Sequence, residues 1–481
     1  MQKKFVTNLA FLLTLNLIVK TFYQLGIDRS VQNTVGAEAF GVYYALFNFS
    51  FLLNILLDIG ITNFNNKNIA QNNHLLTKHF SSIVILKFVL ALIYIIITLT
   101  CGLIIGYDFR LMKLLIILSL NQFLISFIMY LRSNLSGLHF FKTDSVISVL
   151  DRIILIGICS VMLWGNIFNT KMDIMWYVYA QTFAYLITTL ITFVIVMDKA
   201  NFKKLNWHFA FFVMILKQSY PFAVLVLLMT FYNRIDTVML GRMLPDGAKQ
   251  AGIYASAYRL LDSTNMIAFL FAGLLLPIFA KMLKQKDSVE QLVKLSFSLL
   301  VIPAIIIAVG SFFYSEELMK LLYKEHIAES AAVFRLLMSC FVAISSTYIF
   351  GTLLTANGNL KELNIMATCG VLINIILNFI LIPKYEALGS VASSLITQFS
   401  TALVQILIAQ YIFKFKVNYK LLGSILIFVF VIALIYQFSK YLPYNWFINF
   451  SLAVGISIIL AFVIKLINLR SLFYILKYGD N

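Results

Sequence analysis

The chain has 481 residues, 61% of them hydrophobic and 12% charged, with a mean hydropathy of +0.91. A soluble domain is about half apolar and a quarter charged, so this composition excludes one and fits a polytopic membrane protein. The formal net charge of +17 is scattered as Lys and Arg through short loops. That is the bias of cytoplasmic loops in membrane proteins, and it argues against a nucleic-acid surface.

A membrane helix takes about 20 mostly apolar residues. By that rule the chain is all-α integral membrane with about 14 transmembrane helices. The predicted spans are 8–25, 40–61, 80–105, 111–131, 145–164, 174–197, 216–240, 251–282, 292–313, 331–355, 363–382, 388–413, 421–438 and 446–467. The first follows the basic start Met1-Gln2-Lys3-Lys4 and has no small-x-small cleavage site after it, so it is expected to stay as a span. Lys67, Lys142, Lys199, Lys203, Lys204, Lys416, Arg470 and Lys477 fall on one side of these spans, and Glu316, Glu317, Glu325 and Glu329 on the other. The positive side is read as cytoplasmic, which puts both termini there.

A weak internal repeat is present. Phe22-Tyr23-Gln24-Leu25-Gly26-Ile27-Asp28 resembles Phe231-Tyr232-Asn233-Arg234-Ile235-Asp236, and Phe40-Gly41-Val42-Tyr43-Tyr44-Ala45 resembles Ala251-Gly252-Ile253-Tyr254-Ala255-Ser256. Two matches at nearly one offset predict two pseudo-symmetric six-helix bundles in the same orientation. The expected division is residues 1–197, a cytoplasmic linker at 198–215, residues 216–413, and two extra helices with a tail at 414–481. The predicted loops reach only about 15–20 residues, too short for an extramembrane enzyme domain. No phosphate-binding loop or HExxH pattern is found, and Cys101, Cys159, Cys340 and Cys369 form no close pair. They are expected to be packed free thiols, and no cofactor is expected.

Charge inside spans is expensive and marks function or a structural ion pair. Arg234 and Asp236 lie deep in one predicted helix, and Arg259 and Asp262 share a face of the next. Lys87, Arg132, Asp151, Arg152 and Asp58 fall in or near spans of the first half, with Asp58 and Arg132 close to cytoplasmic ends. Adjacent residues on a helix point about 100° apart, so Asp151 and Arg152 need not pair. Arg234, Arg259, Arg152, Arg132 and Lys87 are the candidates for holding an anionic head group, since a guanidinium binds phosphate oxygens bidentately. Asp236, Asp262, Asp151 and Asp58 are the candidates for a coupling H+ or Na+. A static network that merely ties helices together is the competing reading. Pro221, Pro277 and Pro303 are in or near spans and are read as kinks.

Val35 to Tyr43 with Asp58-Ile59-Gly60-Ile61 and Asn63 to Ala70, and Ser219 to Arg259 in the second half, resemble the Wzx-type flippases. These are polysaccharide exporters of the multidrug/oligosaccharidyl-lipid/polysaccharide superfamily, with a MATE-like fold. The pattern is departed from at Thr34 and Lys67. The resemblance implies a bacterial inner-membrane protein that moves undecaprenyl-diphosphate-linked oligosaccharide to the periplasmic face. It implies a cationic cavity, alternating access and ion coupling, with Arg234, Asp236 and Arg259 as the positions carried over. Membrane lipid and the undecaprenyl-diphosphate-linked glycan are the implied partners, with polysaccharide polymerase and chain-length proteins beside them. Rival readings are an organic-cation antiporter of the same fold, which an arginine-rich cavity disfavours, a peptidoglycan-precursor flippase, and a glycan polymerase, for which no catalytic loop is seen.

Overall fold

The computed structural model describes residues 14–62, 65–66, 69, 73–138, 140–165, 172–200, 207, 209–415 and 418–467. Lys67, Lys203, Lys204, Lys416, Arg470 and Lys477 lie outside the described residues, as do the first residues of the N-terminal span and the side chains of Pro221 and Pro277. The described residues are helical with no strand. Hydrocarbon offers backbone groups no partner, and a helix satisfies them within one segment.

Packing divides the chain into residues 1–252 and 253–481. In the first unit, helix α1 covers residues 14–35 and contains a π-helical turn at Tyr23–Asp28. Gly36, at φ 88°, turns the chain into α2 (Ala37–Leu52). A short 3-10 turn at Asn54–Leu57 follows, and then Asp58, Ile59 (φ 44°) and Gly60 (φ 81°) leave helical geometry. The long helices α3 (Leu75–Ile105), α4 (Phe109–Gly137), α5 (Phe141–Trp164), α6 (Ile174–Ala200) and α7 (Phe209–Met243) complete the unit. Helix α2 packs against α4 and α7, and α6 packs against α4 and α5. A core between α3, α4 and α6 is built on Phe80, Phe127, Tyr130, Leu131, Tyr185 and Val196. The start of α4 is capped, where the Asp108 carboxylate accepts the Leu111 N–H at 2.8 Å.

Helix α8 (Gly247–Gln285) begins at the end of this unit. Its first turns touch α2 through small residues. A Cβ on Gly41 would lie 1.9 Å from the Ala248 carbonyl oxygen, and one on Gly252 would lie 2.0 Å from the Ala37 carbonyl oxygen. The contact is reciprocal: Ala37 and Gly41 are four apart, as are Ala248 and Gly252. Small residues at this spacing let helix backbones approach. Gln32 adds a hydrogen bond to the Gly252 carbonyl at 3.2 Å. Gly41 and Gly252 are the repeat-related glycines of the sequence.

In the second unit, α9 (Glu290–Phe313) carries Pro303 inside it and packs against α12 (Cys340–Ala356). Between them run α10 (Ser315–Leu322) and α11 (Ile327–Leu337). Helix α13 (Leu360–Phe413) is two limbs meeting at Glu386, whose φ of 53° breaks the helix three residues after Pro383. The last helices, α14 (Tyr419–Ser439) and α15 (Trp446–Val463), pack on α9. Tyr314, Tyr436 and Phe450 meet there, and the Tyr314 hydroxyl bonds Ser439 at 2.6 Å.

Eleven helical stretches among the described residues are long and apolar enough to cross a membrane. Three further spans were expected, and α1, the 16-residue α2 and the second limb of α13 lie at their places. Helices α7 and α8 overrun the predicted spans at both ends, because a helix continues past the hydrocarbon boundary into the interface. The predicted span 40–61 instead stops at Leu52. Cys159 and Cys340 are packed as expected, whereas Cys369 is exposed on the first limb of α13. Overpacking costs about 1–3 kcal/mol or more. Gly41→Val is therefore expected to lower the melting midpoint of the purified protein clearly. Gly157→Ala, where a Cβ meets nothing within 4 Å, should leave it unchanged.

Candidate functional site

The interior of the first unit holds charge where α2 breaks. Lys87, on α3, is 1% exposed. Its ammonium pairs with the Asp58 carboxylate and donates to the Leu57 carbonyl at 3.0 Å and the Ser126 hydroxyl at 3.2 Å. A lysine has three N–H donors, and these three oxygens occupy all of them. Asp58 is also held by the Thr62 hydroxyl and by the Thr62 N–H at 3.3 Å. Lys87 and Asp58, expected in separate roles, are thus brought together.

A second cluster sets three cations among three carboxylates. The Arg152 guanidinium lies 4.7 Å from the Tyr23 ring centre and 5.5 Å from that of Tyr185, and donates to the Tyr185 hydroxyl at 3.1 Å. It also pairs with Asp151 at 3.4 Å, because the long arginine side chain can bend across the roughly 100° between them. Arg132 binds Asp144 at 2.7 Å, a partner one loop away. Lys20, on α1, feels the charges of Arg152, Arg132 and Asp151. Beside them the Tyr177 hydroxyl donates to Asp28 at 2.5 Å and also meets Tyr23, while Gln181 donates to the Tyr43 hydroxyl at 2.8 Å. The π turn of α1 thus places Tyr23 and Asp28 together against α6.

On α7, Arg234 is half-buried with its guanidinium 5.4 Å from the Phe51 ring centre, and Asp236 is 1% exposed. Asn48 of α2 bonds Thr237 beside them at 2.8 Å. At the far end, Arg242 donates to the Ile105 carbonyl and sits 5.0 Å from the Tyr107 ring centre. Burial pushes the Tyr107 phenol up to about 12, against the opposing pull of Arg242.

In the second unit Arg259 is 3% exposed and Asp262 is half-buried one turn on. Tyr254 and Tyr258 stack with ring centres 5.5 Å apart and are buried, as is expected of packing aromatics. A polar stripe on α13 was not anticipated. Asn374, Asn378, Ser390, Ser394, Thr397, Gln398, Thr401 and Gln405 are all buried, and Asn378 donates to Asn374 at 3.1 Å. The spacing of three and four among Ser390, Ser394, Thr397, Thr401 and Gln405 was a readable signal. It carries no charge, so a search for ionisable residues passes over it.

The described residues thus form an all-helical bundle with paired charges and a polar stripe inside it. The chain belongs to the polysaccharide biosynthesis protein family, whose sequence profile matches residues 5–283. The MatE profile matches residues 221–380. Among solved structures the chain is similar to the lipid II flippase MurJ in an inward closed conformation, at 17% identity and a TM-score of 0.70, over 95% of this chain and 98% of that one. It is similar to a transporter of the MOP superfamily from Pyrococcus furiosus, described as having a binding pocket of reverse polarity, at 16% identity and TM-score 0.63, over 85% and 95%. An outward-facing multidrug resistance MATE transporter of that superfamily gives 14% and 0.62, over 85% and 95%. No curated protein matches. The chain thus shares the fold of these flippase and transporter structures.

Arg152→Ala removes two ring contacts, a hydrogen bond and the counterion of Asp151. It is expected to destabilise the protein by about 1–3 kcal/mol, read as a fall in the detergent melting midpoint. Arg152→Lys should recover less than half of that fall, since an ammonium cannot stack on both rings.

Proposed function

We propose that the chain turns an undecaprenyl-diphosphate-linked oligosaccharide from the cytoplasmic to the periplasmic leaflet of a bacterial inner membrane, as Wzx-type flippases of O-antigen or capsule units do. Transport is by alternating access with a coupling H+ or Na+, and both termini lie in the cytoplasm. The observation that carries this reading is the family match, which spans more than half of the chain. The cations Lys20, Arg132 and Arg152 support it, because a diphosphate needs positive charge where water is scarce and competes with Asp144 and Asp151 for the two guanidiniums. Arg152 and Arg132 of the first unit take the diphosphate, with Arg234 and Arg259 serving the same anionic cargo at other stages. Asp236, Asp262 and Asp151 are the carboxylates for the coupling ion. Lys87 and Asp58 enter only if their mutual pair opens. The polymerase and chain-length proteins that consume the flipped unit are the expected neighbours in the membrane.

A second reading takes a peptidoglycan lipid precursor as cargo. The likeness to the lipid II flippase favours it, and the two cargoes share the polyprenyl diphosphate and differ in the glycan. Arg234→Ala and Arg259→Ala are each expected to abolish surface polysaccharide in a strain lacking the native protein, with the variants still inserted at wild-type levels. Arg234→Lys should fall well short of wild type. Normal polymer from both alanine variants would defeat the cationic assignment. Rescue of a lipid II flippase deletion, without any restoration of polysaccharide, would select the second cargo.

A further inference from the structure

The break after α2 is a place built for a cation. Discontinuous membrane helices expose backbone carbonyls that coordinate Na+ in transporters. Here the Leu57 carbonyl, the Asp58 carboxylate and the Ser126 hydroxyl converge on one point, and the Lys87 ammonium occupies it. The Tyr130 ring, 5.9 Å from Nζ, adds an electron-rich face on another side. The oxygens do not rely on Lys87 for their aim. Thr62 holds the carboxylate through its hydroxyl and its N–H, and Ser126 donates to the Leu57 carbonyl at 3.3 Å. Carboxylate, carbonyl and hydroxyl form an all-oxygen donor set, the kind that hard cations take.

We propose that the Leu57–Asp58–Ser126 cluster is a monovalent-cation site whose resident ion is the tethered ammonium of Lys87. The native protein carries its counterion covalently at this position and takes no external ion there. Without the lysine side chain the cluster binds Na+. The inference stands whichever lipid the protein moves, because it concerns an ion site within the first unit.

The test uses full-length protein in detergent: wild type, Lys87→Ala, and Asp58→Asn/Lys87→Ala. Melting midpoints are compared in sodium chloride and in choline chloride at equal ionic strength. A ligand that binds only the folded state raises stability with its concentration relative to Kd. Lys87→Ala is expected to gain a saturable sodium-specific rise beyond any shown by wild type, and the double variant to lose that gain. Folding of Lys87→Ala in sodium but not in choline would support the same conclusion. Equal sodium responses in wild type and Lys87→Ala overturn the proposal, as does a gain that persists in the double variant. Aggregation of Lys87→Ala in both salts while the double variant folds also overturns it, since sodium would then have failed to replace the ammonium.

Discussion

An ammonium sealed in a membrane-protein interior has three N–H bonds, and each must find an oxygen there or cost several kcal/mol. Lys87 meets that demand only because α2 ends early. A helix continued through residues 53–60 would keep its carbonyls in its own ladder. The 3-10 turn at Asn54–Leu57 and the irregular Asp58, Ile59 and Gly60 release the Leu57 carbonyl and aim the carboxylate beside it. The break and the buried lysine therefore require each other. Removing either partner of such a buried pair is far more damaging than replacing both by apolar residues of similar size.

The same rule governs the rest of the interior. Arg132 answers Asp144, Arg152 answers Asp151 and Tyr185, and Tyr177 answers Asp28. Aromatic residues do much of this work. Tyr23 and Tyr185 flank Arg152, and Phe51 lies beside Arg234. An arginine laid on a ring keeps its edge N–H groups for an oxygen ligand while its face is shielded. A lysine in the same place would have a compact, strongly hydrated head and no face to lay down. The arginines beside rings therefore keep partly exposed heads, while Lys87 is a sealed, fixed charge.

Much of the fold was legible because length and apolarity are additive along the chain. Fourteen apolar runs gave the helices, and the turn at Glu386 fell in the predicted gap between 382 and 388. The end of α2 was not legible, since residues 40–61 stay apolar almost throughout and only Asp58 and Gly60 hint at a break. Charge partners were harder still. Lys87 and Asp58 are 29 residues apart and Tyr177 and Asp28 are 149 apart, distances over which no periodicity carries information. The stripe from Ser390 to Gln405 is different: its spacing is in the sequence, but it carries no charge to mark it as costly within a span.

The repeat-related glycines join sequence and packing in one place. Gly41 and Gly252 each face the carbonyl of the small residue four positions before the other. A contact of this kind is held by close backbone approach at small residues. The charged clusters are the opposite: each ion pair broken in the interior leaves an unanswered charge. The Lys87–Asp58 pair is one of these, and a buried charge of this kind requires its partner to stay in place. A covalently tethered cation serves that requirement better than a diffusible one, because it cannot leave when the helices shift.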